Sequence, residues 1–400
     1  MTGAFNDLRG RIGEWERSTV QALPQTKRRK AMKRRVDVGV DLHKGQFTVY
    51  WLREGEEKGK FERYLTDGEG YEVFEGKLKA AAEAGSEVRV AVETTGSARY
   101  FKNRIERQGI GVKVINTLKF KVVNESVKKT DRHDAATIAE FLAKDMLPEA
   151  RLCSEESEAL RRLVKSRKVL VRAVVSIKNQ IHGLLLGFGI ELAARTLQSK
   201  KNRRKILGVL EEQGLAGGAV EPLFETIDRL EEEVKKIERL IEERTKGDRT
   251  VELLKTIPGA GAITAATVRA FVDDIGRFEG YKHLCSYAGL APWVQDSNRR
   301  ERHGRITKRG PEELRTALVQ IVVGMVRNKR RTGAYRIMER YAAMKPVKGS
   351  GKTIIATARK LAKVIFYMLK NNEPFDPGRM TDPDLKKAAR EMSLAVVSVA

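Results

Sequence analysis

The amino-acid sequence predicts a mixed α/β domain, then a long helical region, then a second and mainly helical domain. Three observations carry this. Val36, Val38 and Val40 alternate with other residues, and a second β-rich run, Phe47 to Leu52, follows Lys44-Gly45, the pattern of adjacent antiparallel strands. Strand-like and helix-like segments then succeed one another as β-β-β-α-β-α-β-α up to about residue 150, which implies a mixed sheet with helices on its faces. Beyond that, apolar residues recur every three or four positions with no strand signal. Four hundred residues exceed one ordinary core. The expected divisions are a basic arm over 1–35, the sheet domain over 36–150, the helical region over 151–250, the second domain over 251–345, and a basic helix and tail over 346–400.

Lysine and arginine number 78 against 53 acids, a net charge of +25. Such an excess argues for a polyphosphate partner, DNA or RNA. The arm ends in Lys27-Arg28-Arg29-Lys30-Ala31-Met32-Lys33-Arg34-Arg35, seven cations in nine residues. Mutual repulsion keeps such a run extended until phosphates neutralise it; a solvated tail is the alternative. The two cysteines, Cys153 and Cys285, give neither a disulfide framework nor a metal spacing, so a reducing compartment is expected. No apolar run reaches the roughly 20 residues of a bilayer span, and the first residues lack a secretory pattern. The expectation is a cytosolic protein with no membrane partner.

Within the sheet domain, a third strand is expected over 61–65, a helix over 69–84, a strand over 87–93, a helix over 97–108, a strand over 111–115 and a helix over 131–144. Asp41 then ends the first strand and Glu93 the fourth. Open α/β sheets bind ligands beyond the carboxyl ends of their strands. The last helix opens on Thr130-Asp131-Arg132-His133-Asp134, two acids three residues apart and so on one helix face. Two readings are open for that pair. Asp131 can be the N-cap and Asp134 the acidic member of a capping box, or both can hold a divalent cation with Asp41 and Glu93 as the oxygen ligands from other segments.

From Leu160 to Phe188 and from Leu223 to Ile241 the apolar positions follow heptad-like spacing, which predicts a coiled coil or antiparallel helix pair. Such a pair serves dimerisation or packs on its own chain. Lys200, Lys201, Arg203 and Arg204 lie between the two runs, as a basic cluster at the expected tip.

The second domain opens with Ile257-Pro258-Gly259-Ala260-Gly261 before a small-residue helix. This helix-hairpin-helix-like element can offer backbone amides near Gly259 and Gly261 to a nucleic-acid phosphate. A polar loop is expected from Gln295 to His303, and in it Ser297 is followed by Arg299, Arg300, Arg302, Arg305, Lys308 and Arg309. These cations suit a phosphodiester and the charge that builds on it during attack, which makes Ser297 a candidate nucleophile. No positioned base is identifiable beside it, so an incidental serine is the other reading, and Ser286 is a weaker candidate.

Gly39-Val40-Asp41-Leu42-His43-Lys44, Val92-Glu93-Thr94-Thr95-Gly96 and Thr130-Asp131-Arg132-His133-Asp134-Ala135 resemble the three blocks of the DEDD transposases of bacterial insertion sequences, the IS-one-ten family. Ser297 with Gly304-Arg305-Ile306-Thr307-Lys308-Arg309-Gly310 resembles that family's C-terminal signature, although Asp296-Ser297-Asn298 stands where the family has Ser-Ser-Gly. The resemblance covers about residues 36 to 345. It implies an RNase H/resolvase-like N-terminal domain and a C-terminal transposase domain. It further implies a composite site of Asp41, Glu93, Asp131, Asp134 and Ser297 with Mg2+, of which two ions are expected. The implied partners are donor and target double-stranded DNA, a structured non-coding RNA, a dimer or tetramer of the chain, and Lys44 among the nucleic-acid contacts. A resolvase-like nuclease without a covalent step, and a non-enzymatic RNA-binding protein, are the rival functions.

Overall fold

Alternation of valine with small or acidic residues forces the chain at 35–42 into a strand that can face two ways, and the first part of the molecule is assembled on it. The computed structural model describes residues 34–117, 119–120, 130–212, 214, 217–297, 300–333 and 335–377; all but the end of the basic arm, and the C-terminal tail from 378, lie outside the described residues. The chain divides into two compact units, 1–152 and 153–400.

In the first unit, strands β1 (Arg35–Leu42), β2 (Gln46–Arg53), β3 (Lys60–Leu65), β4 (Glu87–Glu93) and β5 (Val112–Ile115) accompany helices α1 (Gly68–Glu83), α2 (Ala98–Glu106) and α3 (Asp131–Ala143). The element order is the expected one. The sheet order is β3-β2-β1-β4-β5, with β1 antiparallel to β2 and parallel to β4, and β4 parallel to β5. This is a mixed sheet consistent with an RNase H-like domain.

The period of two sorts β1. Val36, Val38, Val40 and Leu42 join Phe74, Leu78, Phe101 and Ile105 in the core under α1 and α2. Asp37, Gly39 and Asp41 therefore face the other side, where α3 lies. Gly39 is required there: a Cβ on it would stand 2.1 Å from the Ala135 carbonyl oxygen and 2.5 Å from the Ala139 amide nitrogen. Ala91 of β4 packs with Ile138 and Leu142 of α3 on the same face.

The second unit contains the long helices α4 (Glu155–Gly187) and α6 (Gly217–Arg244), the shorter α5 (Lys200–Glu212) between them, then α7 (Arg249–Lys255), α8 (Ala262–Val272) and α9 (Tyr281–Tyr287). A hairpin of β6 (Pro292–Ser297) and β7 (Arg300–Ile306) leads to α10 (Glu312–Arg327), α11 (Lys329–Thr332) and α12 (Arg336–Asn371). The heptad runs form an antiparallel pair: Arg167 bonds Glu238 while Lys178, further along α4, bonds the earlier Glu231. By length and composition α4 could cross a membrane, yet it carries these ion pairs, and Leu160 and Val164 at its start enter a core shared with α7, α8, α9, α10 and α12. Two details differ from expectation. The segment read as a polar loop falls within β6 and β7, a short mixed strand and a charged one that show no apolar alternation. The C-terminal helix begins at Arg336 and is broken at Gly349, whose φ of 74° and ψ of 164° are not helical.

Candidate active site

Among the described residues, Asp41, His43 and Asp131 are the ones brought into a single cluster, while Glu93 stands on the strand next to Asp41. The parallel register pairs Val40 with Val92, so Asp41, next to last in β1, and Glu93, last in β4, each follow a paired residue on the face that α3 covers. Strands so paired stand about 5 Å apart. The start of α3 is capped by Thr130, whose hydroxyl accepts a hydrogen bond from the His133 amide at 3.2 Å. This corrects the capping reading. Asp131 is the first residue inside the helix and not its cap, so neither Asp131 nor Asp134 is consumed in closing the helix end.

Asp41 is 8% exposed. Burial pushes its carboxyl above the usual carboxylate range; His43 beside it opposes the rise, and the charges of Asp131 and Asp134 add to it. Both helix acids are thus within electrostatic reach of the strand acid. His43 was missed by the sequence reading. Its Nε2 lies 3.0 Å from Asp41 Oδ2 and 3.5 Å from Asp131 Oδ1, and one ligand atom from each of the three residues falls within 4.8 Å of the others. The available signal was the Asp41-Leu42-His43 spacing, because residues two apart near a strand end share a face. Two or more carboxylates converging on one point are what a hard divalent cation requires, and the cluster is compatible with one.

Two family descriptions match this chain, in order. The DEDD transposase family of IS110 matches residues 38–190, which include all four acids, and the family described as Transposase IS116/IS110/IS902 matches residues 251–336, which include Ser297. The chain belongs to the IS110 family of DEDD transposases. It is 26% identical over 302 residues to a probable family 20 transposase of Pseudomonas aeruginosa, covering 72% of this chain and 86% of that one. It is 26% identical over 361 residues to the transposase for insertion sequence element IS1111A of Coxiella burnetii, covering 88% and 94%. A pilin gene-inverting protein of Moraxella bovis is 24% identical over 351 residues, covering 85% and 97%.

As a DNA transposase it must also hold nucleic acid, and the residues expected to do so are distributed unevenly. Ser297 ends β6 and stands opposite Arg300 in the register of the hairpin, with Gln295 opposite Arg302; Asn298 and Arg299 lie outside the described residues. Arg305, Lys308 and Arg309 are exposed at the foot of β7, where the Lys308 amide bonds Gly289 and Arg315 bonds the carbonyls of Ala288 and Lys308. Lys44 is exposed one residue beyond His43.

Gly261 caps α8, and Gly259 takes a φ of +89°. A Cβ on Gly259 would stand 2.6 Å from the Ile321 carbonyl oxygen, so this glycine lets the hairpin sit on the backbone of α10 as well as turn. Arg203 departs from the expectation of a phosphate contact. It is 3% exposed, donates to the Leu197 carbonyl at 2.7 Å, and pairs with Asp228 and Glu231 of α6. The helical period placed it on the inner side of α5, a position its charge did not reveal. Lys200 reaches the same Asp228 at 2.8 Å, while Lys201 stays exposed.

Proposed function

We propose that this transposase cuts and rejoins DNA strands of an insertion sequence in the cytoplasm, with Asp41, Glu93, Asp131 and Asp134 holding magnesium and Ser297 as the nucleophile. The observation that carries the reading is the meeting of Asp41 and Asp131, with His43 between them, at a helix end already capped by Thr130. Four acids suit two ions, and magnesium bound there would neutralise charge on the attacked phosphate and on the departing oxygen. Magnesium prefers oxygen ligands; His43 therefore serves as the group that orients Asp41 and Asp131. The Ser297 oxygen gives up its proton and bonds phosphorus, the 3′-oxygen leaves and takes a proton, and a 3′-hydroxyl from the second strand later reverses the exchange. No external energy source is needed, since each broken phosphodiester is replaced by another ester. The arginines after Ser297 supply the charge that holds the phosphate.

A structured RNA that pairs with donor and target fits a basic protein in which pairing, and not side chains, selects sequence. Association of copies is supported by α4, where Val169 is 66% and Leu186 64% exposed; apolar residues so placed on a long helix suit a partner helix. The second reading, a nuclease that uses water, draws support from the acid set standing within the first unit alone.

Asp131→Asn tests the metal role. The variant keeps the Thr130 cap, so its fold should lose less than about 1 kcal/mol, while magnesium-dependent cleavage should fall at least about 100-fold. Full recombination in the variant refutes the assignment. Ser297→Ala separates the two readings: loss of a protein–DNA adduct that survives denaturation supports the serine route, and cleavage at the wild-type rate supports water. Sequencing of copurifying nucleic acid should return one discrete RNA, and solution mass should exceed one chain.

A further inference from the structure

Asp41 faces α3, and the next residue, Leu42, faces the opposite way. At the same strand ends a cleft of about 500 Å³ opens, with His43 of the acid cluster as well as Leu42 in its wall. Leu42, Lys44, Tyr71, Thr95, Ser97 and Tyr100 contribute to its walls. Its size falls in the range that holds a small ligand.

The aromatic wall is held in place. Tyr71 is buried and Tyr100 is 56% exposed, with ring centroids 5.6 Å apart and planes at 81°. Arg104 lies over the Tyr71 ring at 4.8 Å and donates to the Tyr100 hydroxyl at 3.1 Å, so one guanidinium fixes both rings. The start of the helix that carries Tyr100, about one turn from that ring, suits an anion. Helix α2 starts after Ser97, whose side chain makes no capping bond, and although the Ala98 amide bonds the Thr95 carbonyl, the positive end of the helix favours phosphate. Lys44 adds a full positive charge, and Thr66 fixes that loop by donating to the Lys44 carbonyl at 2.6 Å. An exposed aromatic ring beside a phosphate-attracting edge is the pairing that binds unstacked nucleotides in single strands.

We propose that this cleft takes one unstacked nucleotide of the DNA strand next to the scissile phosphate, its base against Tyr100 and its phosphate between Lys44 and the start of α2. This rests on the carboxylates being the cutting site, because the cleft adjoins them through His43. It adds a device for the substrate: a base drawn out of the stack in the cleft keeps the adjoining phosphate fixed beside it. Any base has a face to stack, so the site fixes position without choosing sequence.

The test uses the full chain with calcium in place of magnesium and an oligothymidylate of about eight nucleotides carrying 5-iododeoxyuridine. Irradiation should crosslink the peptide that contains Tyr100. An all-abasic strand of equal length and charge should compete less well, by about tenfold or more. Tyr100→Ala should remove that advantage, Tyr100→Phe should keep it, and Lys44→Ala should weaken both strands. Crosslinks confined to other peptides, or an equal effect of Tyr100→Ala on both strands, would overturn the proposal. Asp131→Asn should still crosslink, so failure of the metal reading shows in the cleavage assay and failure of the nucleotide site shows here.

Discussion

In the first unit, Asp41 at the end of a buried strand meets Asp131 at a capped helix start, and contact of Gly39 with the backbone of α3 sets the distance between them. In the second unit, the expected phosphate contacts are spread over a hairpin, a helix tip and the amides of a glycine turn, and one of the cations, Arg203, is turned inward. The difference follows from the ligands each region serves. A cation must be met by short side chains from several directions at once, within a few tenths of an ångström. A phosphate backbone is met by long, flexible lysines and arginines whose individual placement matters little.

The largest effect should come from breaking the acid site without touching an acid. Gly39→Ala puts a methyl group into the Ala135 carbonyl, so α3 must lift. Melting or denaturant titration should show a loss of about 3 kcal/mol, and metal-dependent cleavage should be lost with it although every ligand remains. Retained cleavage would mean that the strand–helix contact does not set the site. Arg203→Ala probes the other side of the comparison. It strands Asp228 and Glu231 at the tip, and because both are partly exposed the loss should be about 2 kcal/mol, less than for a fully buried pair. Its affinity for DNA should stay near wild type, whereas Lys201→Ala should leave stability unchanged and lower the salt dependence of binding by about one unit.

A smaller effect is expected at His43. Removing the ring that bridges Asp41 and Asp131 should weaken divalent-metal binding by about 10-fold to 100-fold, measured by titration, with little change in fold. The smallest concerns Asp41 and pH. Burial raises its carboxyl in the folded protein, so the fold favours the neutral acid. That contribution is fully present below the unfolded value of about 3.9 and is lost as pH rises through the higher folded value. Asp41→Asn stays neutral throughout. With chelator present, its melting temperature at neutral pH should exceed that of the wild type by about 2–4 °C, and the gap should close on acidification.

The sequence was most informative where a period had a physical cause. Alternation in β1 and β4 put Asp41 and Glu93 at strand ends, and heptad spacing gave the α4–α6 pair, because burial of one face imposes those periods. Charge misled in three places. His43 looked like any polar residue until the strand end placed its ring between two carboxylates. Arg203 looked like a surface cation because a buried arginine is recognisable only from its acidic partners, which lie on another helix. The β6–β7 hairpin carries so many charges that a strand reading had nothing to hold. The Asp131 cap was a choice between adjacent residues: threonine and aspartate both cap well, and only the observed bond from His133 to Thr130 decides between them.

Strand β1 has one further consequence. Its successive residues alternate between the apolar core and the acid site, so it works as a ruler with different markings on its two edges. Slippage by a single residue would exchange the markings all at once, sending Leu42 toward the acids and Asp41 among the aromatic rings. The same interleaving that seats four valine and leucine side chains in the core therefore also guards the orientation of the acid. In this molecule, folding correctly and aiming correctly are one selection made by one strand.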